Sequence, residues 1–249
     1  MVEDLKSFLE NEVITNVPNM VWIVLGIFIL IIYFAISKKI RNKRLLETVT
    51  KPNRGTKSER DLVLKLLKSG ISPDSIFHDL YVRKYSGKFS QIDLVIASEV
   101  GIIVIEVKDY SGWIFGNGKH TQWTQVLAYG RDKYRFYNPI LQNKKHIEDL
   151  RKQSEQFSNL PFYSVVVFYG DCELKDISFV PRGTYIVKAN RIFEVFRIIY
   201  NNNQPVSYTN KYEIDKVLRE AMYNGENPET QTHHIENVKD MLGKHRVFD

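Results

Sequence analysis

Residues 20–36 are all apolar or glycine, and no charge interrupts the wider stretch 13–37. Coiled at 1.5 Å per residue, a helix over 18–37 would be roughly 30 Å long, about the thickness of a bilayer's hydrocarbon core. Trp22 and Tyr33 fall near its two ends, where amphipathic rings favour the headgroup level. The pattern predicts a transmembrane helix over 20–37, preceded by a short segment, 1–19. A buried core helix would be shorter and amphipathic. A cleaved signal peptide, suggested by Ala35-Ile36-Ser37, needs its positive charge before the apolar run, and here it follows.

After this run the periodicity changes. Residues 38–53 form a basic, polar linker, broken by Pro52-Asn53. Leu62, Val63, Leu66 and Leu67 then recur at helical spacing over 58–67, with Gly70 past the end. Strand-like runs cover 76–82, 91–97 and 102–107, separated by Ser86-Gly87 and by 98–101. A tight aromatic hairpin is predicted around Gly116-Asn117-Gly118, flanked by Trp113 and Trp123. A charged surface helix follows over 141–157, then apolar strands over 164–169 and 185–187. Ile192, Val195, Phe196 and Ile199 mark a further helix, and Ile214, Val217, Leu218 and Met222 another that ends at Gly225.

Composition narrows the function classes. With 43% hydrophobic and 26% charged residues, the chain is neither disordered nor fibrous. A formal charge of +6 suits an anionic partner, either nucleic acid or a phospholipid surface. The single cysteine, Cys172, excludes an internal disulfide framework and a multi-cysteine zinc ribbon, and fits a reducing compartment. Lys38, Lys39, Arg41, Lys43 and Arg44 follow the apolar run, whereas Glu3, Asp4, Glu10 and Glu12 outnumber Lys6 before it. The positive-inside rule then places the amino terminus outside and everything after the helix in the cytoplasm. Attraction to anionic lipid, about 1 kcal/mol per basic side chain, is a sufficient reason for the cluster.

The informative chemistry lies in Gln91-Ile92-Asp93 and Glu106-Val107-Lys108. Side chains alternate along a strand, so Gln91 and Asp93 share one face, as do Glu106 and Lys108. If Glu99-Val100 forms a two-residue bend, Asp93 faces Glu106 and Gln91 faces Lys108. Directly opposed Cβ atoms lie about 4.5–5.5 Å apart, so two carboxylates meet with a lysine one pleat away. Facing carboxylates repel unless something positive sits between them. Mg²⁺ or Mn²⁺ would resolve this, keeping waters that a phosphate can replace. The lysine could orient or deprotonate the attacking water and stabilise phosphate charge. The ordinary alternative is a cross-strand ion pair between Lys108 and Glu106 or Asp93 on a solvated face. The apolar residues around these positions (DLVIA, IIVIEV) argue against two exposed faces and place the polar pairs at the end of a mostly buried sheet.

These blocks resemble the NERD (nuclease-related domain) family, a branch of the PD-(D/E)xK nuclease superfamily. Gly55-Thr56-Lys57-Ser58-Glu59 is similar to the family's G-x-x-[GS]-E helix start, and Phe77-His78-Asp79-Leu80 to its first-strand motif. Gln91-Ile92-Asp93 resembles Q-I-D. Gly101-Ile102, Ile105 to Lys108, Tyr110 and Gly112 resemble the G-[IV]-x-V-I-E-x-K-x-x-x-G core, and Asn138-Pro139 with Gln142 the N-P-x-x-Q block. Ser58 stands where many members have glycine, and an Ile-Asp pair replaces the superfamily's usual Pro-Asp; neither removes a ligand. The resemblance spans about 54–169. It implies an α/β, restriction-endonuclease-like core (α-β-β-β-α-β, a mixed sheet flanked by helices) over 54–170, with 171–249 extending it.

The activity implied is metal-dependent hydrolysis of phosphodiester bonds, with DNA the expected substrate and RNA left open. Asp93, Glu106 and the Val107 carbonyl would hold the metal, and Glu59 would support it or a second ion. Lys108 would act on water and phosphate, Gln142 would touch substrate or Lys108, and Gln91 would orient Lys108 or a phosphate. The rival reading is a membrane-tethered module of nuclease fold that binds nucleic acid or protein without cutting. Other candidates for substrate binding are Arg131, Lys133 and Arg135, which alternate along a predicted strand, and Lys144 near the start of a helix. Packing is the better explanation of Trp113 and Trp123 than base stacking. His233, His234 and His245 lack a well-spaced third ligand for a metal. Asn138-Pro139 reads as a turn before the helix. Self-association is left open by the sequence.

Overall fold

The computed structural model describes residues 19–232, so all but the last residue of the expected segment 1–19, and His233, His234 and His245, lie outside the described residues. Helix α1, Asn19–Glu47, forms a unit of its own up to Leu45. It is apolar around its whole circumference through residue 36, and its apolar side chains are exposed among the described residues. A helix of that kind needs either a protein core or hydrocarbon around it. Among the described residues it is the one helix long and apolar enough to cross a membrane. It continues past the expected end at 37, through the basic cluster, because nothing before Pro52 breaks it.

The second unit begins at Leu46 and is α/β, with a mixed sheet flanked by helices. Helix α2 (Lys57–Lys68) precedes β1 (Ile76–Arg83), β2 (Phe89–Ser98) and β3 (Gly101–Asp109). Helix α3 (Pro139–Arg151) leads into β7 (Phe162–Tyr169), and β9 (Thr184–Lys188) closes a five-stranded sheet of order β1-β2-β3-β7-β9. The first three strands are antiparallel neighbours, and β7 and β9 join in parallel. Ser98 opposes Gly101 and Leu94 opposes Ile105, which is the register expected from a Glu99-Val100 bend. Phe77, Ile92, Val95, Ile102 and Val104 pack with Leu150 of α3 and with Ile214 and Leu218 of α5 (Lys211–Asn224), below α4 (Ile192–Asn202) in chain order. Full burial of each such side chain contributes about 1.5–3 kcal/mol, so an apolar framework fixes where the polar strand positions end up.

A second sheet, β6-β5-β4-β8, is built from β4 (Gly112–Asn117), β5 (Gln122–Leu127), β6 (Asp132–Tyr137) and β8 (Cys172–Ser178). The aromatic hairpin is present, but its turn falls at 118–121. Gly116 is inside the strand because it lies under Trp123, where a Cβ would come within 2.3 Å of the ring. Trp123 is buried and stacks on Phe168, with centroids 6.3 Å apart. Strand β8 was not expected; its Glu-Leu-Lys-Asp run lacks alternation, and its parallel pairing with β4 is irregular at Ile114/Phe115. The charged helix starts earlier than 141 and stops at Arg151, and a separate 3₁₀ turn, Glu155–Phe157, is capped by Ser154. Asn138 sets the early start: its Oδ1 accepts from Ile140 N at 2.9 Å, while its Nδ2 donates to His120 O at 2.7 Å.

Candidate functional site

The register that pairs Leu94 with Ile105 carries Asp93 and Glu106 onto neighbouring positions of one sheet face. Asp93 Oδ2 accepts the Val107 amide at 2.7 Å. Glu106 is 1% exposed, with Oε1 2.6 Å from Lys108 Nζ and Oε2 3.3 Å from His146 Nε2. Lys108 also donates to Gln142 Oε1 at 3.1 Å, which joins α3 to β3. Burial, then repulsion from Glu106 and Glu59, pushes the Asp93 carboxyl well above its usual range, against the opposing pull of Lys108 and the Val107 amide. Burial also opposes the charge of Glu106, but Lys108 and His146 outweigh it and hold that carboxyl low. Burial likewise disfavours the Lys108 ammonium, and the two carboxylates overcome this to hold its pKa above the ordinary value. One site therefore contains a carboxyl driven toward neutrality beside a carboxylate and an ammonium that stay ionised.

The third acidic group comes from the start of α2. Thr56 caps this helix: its Oγ1 accepts from Glu59 N at 3.3 Å and donates to Glu59 Oε1 at 2.7 Å, a version of the capping box. Glu59 Oε2 points at His78 Nε2, 3.5 Å away. Burial raises the Glu59 carboxyl, and His78 and Thr56 together bring it below its ordinary value. Gly55 makes the arrangement fit. Its φ is +61°, and a Cβ there would lie 2.4 Å from Glu59 Oε2 and 2.6 Å from the His78 ring. Ser58, in the position where the family often has glycine, donates to Asp109 Oδ2 and so ties the helix start to the end of β3.

Around this lies a buried cationic and amide frame. Arg54 Nε donates to Asp79 Oδ2 at 3.0 Å, and its Nη1 donates to Met222 O at 2.7 Å. Asp79 has a left-handed backbone, φ 56°, a strain of about 1–3 kcal/mol for a non-glycine residue. Gln91 also serves Asp79, with Nε2 donating to Oδ1 at 2.8 Å. Of the two roles expected of Gln91, orienting Lys108 or a phosphate, the first is corrected: the Asp79 acceptor draws the amide toward β1, and Gln142 meets the lysine instead.

The structure brings Asp93, Glu106, Lys108, Glu59 and Gln142 into one neighbourhood. Val107 takes part through its N–H. Among the described residues, no three His, Cys, Asp or Glu side chains form a ready-made metal cage. Lys133 and Arg135 are exposed along β6, the edge strand of the second sheet, and Arg131 is exposed just before it. Lys144 is about 200° around α3 from Gln142, on the solvent side, 3.9 Å from Glu148. Trp113 lies beneath Lys175, 5.4 Å from its Nζ. A cavity of about 810 Å³ opens at the far end of the sheet, by Ser98, Glu99 and Tyr208, and shares no residue with the acidic cluster. Sequence reasoning gave no role in the site to Arg54, nor to His78 and Asp79, which it quoted only as part of a motif, and it did not pair His146 with Glu106. For His146 a signal existed: it follows Gln142 by four positions and so shares its helix face.

Residues 54–169 match the family model of the nuclease-related domain, NERD. An uncharacterized protein of Bacillus anthracis is 35% identical over 136 residues, which is 54% of this chain. The chain spans 62% of the length of that relative. No solved structure matches the chain.

Proposed function

We propose that this nuclease-related domain is a metal-dependent nuclease of PD-(D/E)xK type, which hydrolyses DNA phosphodiester bonds at the cytoplasmic face of the membrane that holds α1. The observation that carries the reading is the meeting of Asp93, Glu106 and a charged Lys108 on adjacent strands, with Gln142 on the lysine. The donor set fits a hard divalent ion. Asp93 is made costly to ionise by burial and by its acidic neighbours, and a cation between them would reverse that repulsion. One or two carboxylates suffice for Mg²⁺, which keeps several waters, so the lack of a preformed cage among the described residues does not oppose it.

In this reading Asp93 and Glu106 hold Mg²⁺ or Mn²⁺, with Glu59 in support and the Val107 carbonyl as the backbone ligand. The ion, when bound, supplies Lewis-acid stabilisation of phosphate charge and a more acidic water. Lys108 is a positive neighbour of the phosphate and an orienting donor to the water. Its raised pKa makes it a poor base, which narrows the two roles expected of it. Gln142 fixes the ammonium between helix and strand. Arg131, Lys133, Arg135 and Lys144 offer positive charge to a phosphate backbone at a distance.

One observation favours the rival, a tethered module that binds without cutting. Glu106 is already balanced by Lys108 at 2.6 Å, so the pocket tolerates its charge without a cation. The two readings separate when the full chain in detergent is incubated with DNA and Mg²⁺ or Mn²⁺. The enzyme reading expects cleavage that EDTA abolishes and that Asp93→Ala and Lys108→Ala each reduce at least about 100-fold, the scale of a lost transition-state contact. Retention of cleavage in both variants would reject the assignment, and DNA binding without cleavage would favour the module.

A further inference from the structure

Two carboxylates of the site are backed by the same three-part chain. Glu106 Oε2 faces His146 Nε2 at 3.3 Å, and His146 Nδ1 lies 3.1 Å from Ser90 Oγ. Glu59 Oε2 faces His78 Nε2 at 3.5 Å, and His78 Nδ1 lies 2.8 Å from Thr50 Oγ1. The rings come from α3 and β1, and the hydroxyls from β2 and the segment before α2, so no sequence repeat produces the likeness. Both rings and both hydroxyl residues are buried. The four facing atoms are buried without a hydrogen bond among the described residues, which leaves each ring nitrogen and the oxygen opposite it to satisfy one another.

Electrostatics selects one tautomer. An imidazole lone pair turned toward a carboxylate repels it, whereas an N–H attracts it. If each hydroxyl donates to Nδ1, the ring proton resides on Nε2 and points at the acid. The remaining oxygen of each carboxylate is also claimed, by Lys108 for Glu106 and by Thr56 for Glu59. A carboxylate held at both oxygens cannot turn about its last bond, yet each oxygen keeps a lone pair for another partner.

We infer that His146 and His78 are positioning residues, which aim Glu106 and Glu59 through their Nε2–H groups while Ser90 and Thr50 fix the tautomer. The inference rests on the metal-dependent reading and adds what orients its ligands. Groups that orient a metal's ligands in this way are typically worth about 10–100-fold in metal affinity.

The test uses the full chain in detergent. Long-range proton–nitrogen spectra of ¹⁵N-histidine protein are expected to show the Nε2–H form at both rings, and the Nδ1–H form would overturn the inference. Calorimetry with Mg²⁺ then compares His146→Leu, which removes the donor, with His146→Gln, which returns an N–H near the same place. The expected result is a 10–100-fold weaker affinity for leucine, largely restored by glutamine, with both variants showing a melting transition. Equal, undiminished affinity in both would overturn it. If the unmodified chain takes up no Mg²⁺, the metal reading fails, and the tautomer spectra still decide the positioning of the carboxylates.

Discussion

Asp93 carries the sharpest electrostatic conflict at the residue scale. Its carboxyl is raised by burial and by two acidic neighbours, so the folded chain favours its protonated form more than the unfolded chain does. That contribution to stability is fully present below the ordinary carboxylate range and is lost as pH rises through the raised native value. Glu106 behaves oppositely: its depressed value stabilises the fold above the ordinary range and loses that effect as pH falls through the native value. Asp93→Asn can still accept the Val107 amide but cannot ionise. In metal-free buffer near neutral pH it is expected to melt about 2–4 °C higher than the parent, the shift that roughly 1 kcal/mol gives a domain of this size. The difference is expected to vanish in acid. Thermal unfolding across a pH series checks this, and a lower melting temperature for the variant at every pH would contradict it.

The same residues show what could be read beforehand. Asp93, Glu106 and Lys108 were legible because a two-residue bend and strict alternation fix a strand pair from its own residues. For Gln142 the family resemblance implied a contact with substrate or with Lys108, and the structure places its Oε1 on the lysine. His78, Asp79 and Arg54 were not legible, because their partners are 19 to 25 positions away (Glu59 to His78, Arg54 to Asp79) and depend on a backbone conformation, φ 56° at Asp79, that side-chain periodicity does not encode.

Elements deliver these residues, and the start of α2 is the most constrained of them. Gly55 combines a left-handed φ with contact against Glu59 and His78, so two independent requirements exclude a side chain. Gly55→Ala is expected to cost about 1–3 kcal/mol and to move Glu59, with a visible fall in the denaturant midpoint. A midpoint equal to the parent's would show that the loop relaxes freely. The motif's first glycine thus has a physical reason, and so does its glutamate, which closes a cap as well as facing His78. Strand β8 and the true limits of α3 escaped the sequence for a different reason. Both are fixed by partners, β4 for the strand, and for the helix the Asn138 cap at its start and the separate Ser154-capped 3₁₀ turn beyond its end, and not by periodicity within the segment.

For the whole molecule, an all-round apolar helix precedes an α/β unit of ordinary composition, and the basic cluster follows the apolar run directly. The chain is expected to remain in the membrane pellet after high-salt and alkaline washing, whereas a chain lacking residues 1–44 is expected in the supernatant. Release of the full chain by salt alone would show that charge, not insertion, holds it there. Anchoring and a net positive charge would keep a nuclease close to DNA that reaches the membrane, with an affinity that falls steeply as salt rises.

The central claim is that Asp93 and Glu106 share a divalent ion beside Lys108. Calorimetric titration of Mg²⁺ into the full chain, parallel with Asp93→Asn, Glu106→Gln and the outward-facing Lys144→Ala, tests it most directly. The account predicts saturable binding that strengthens as pH rises and Asp93 loses its proton, that disappears in the two acidic variants, and that persists in Lys144→Ala. Undiminished Mg²⁺ binding in Asp93→Asn and Glu106→Gln would contradict it.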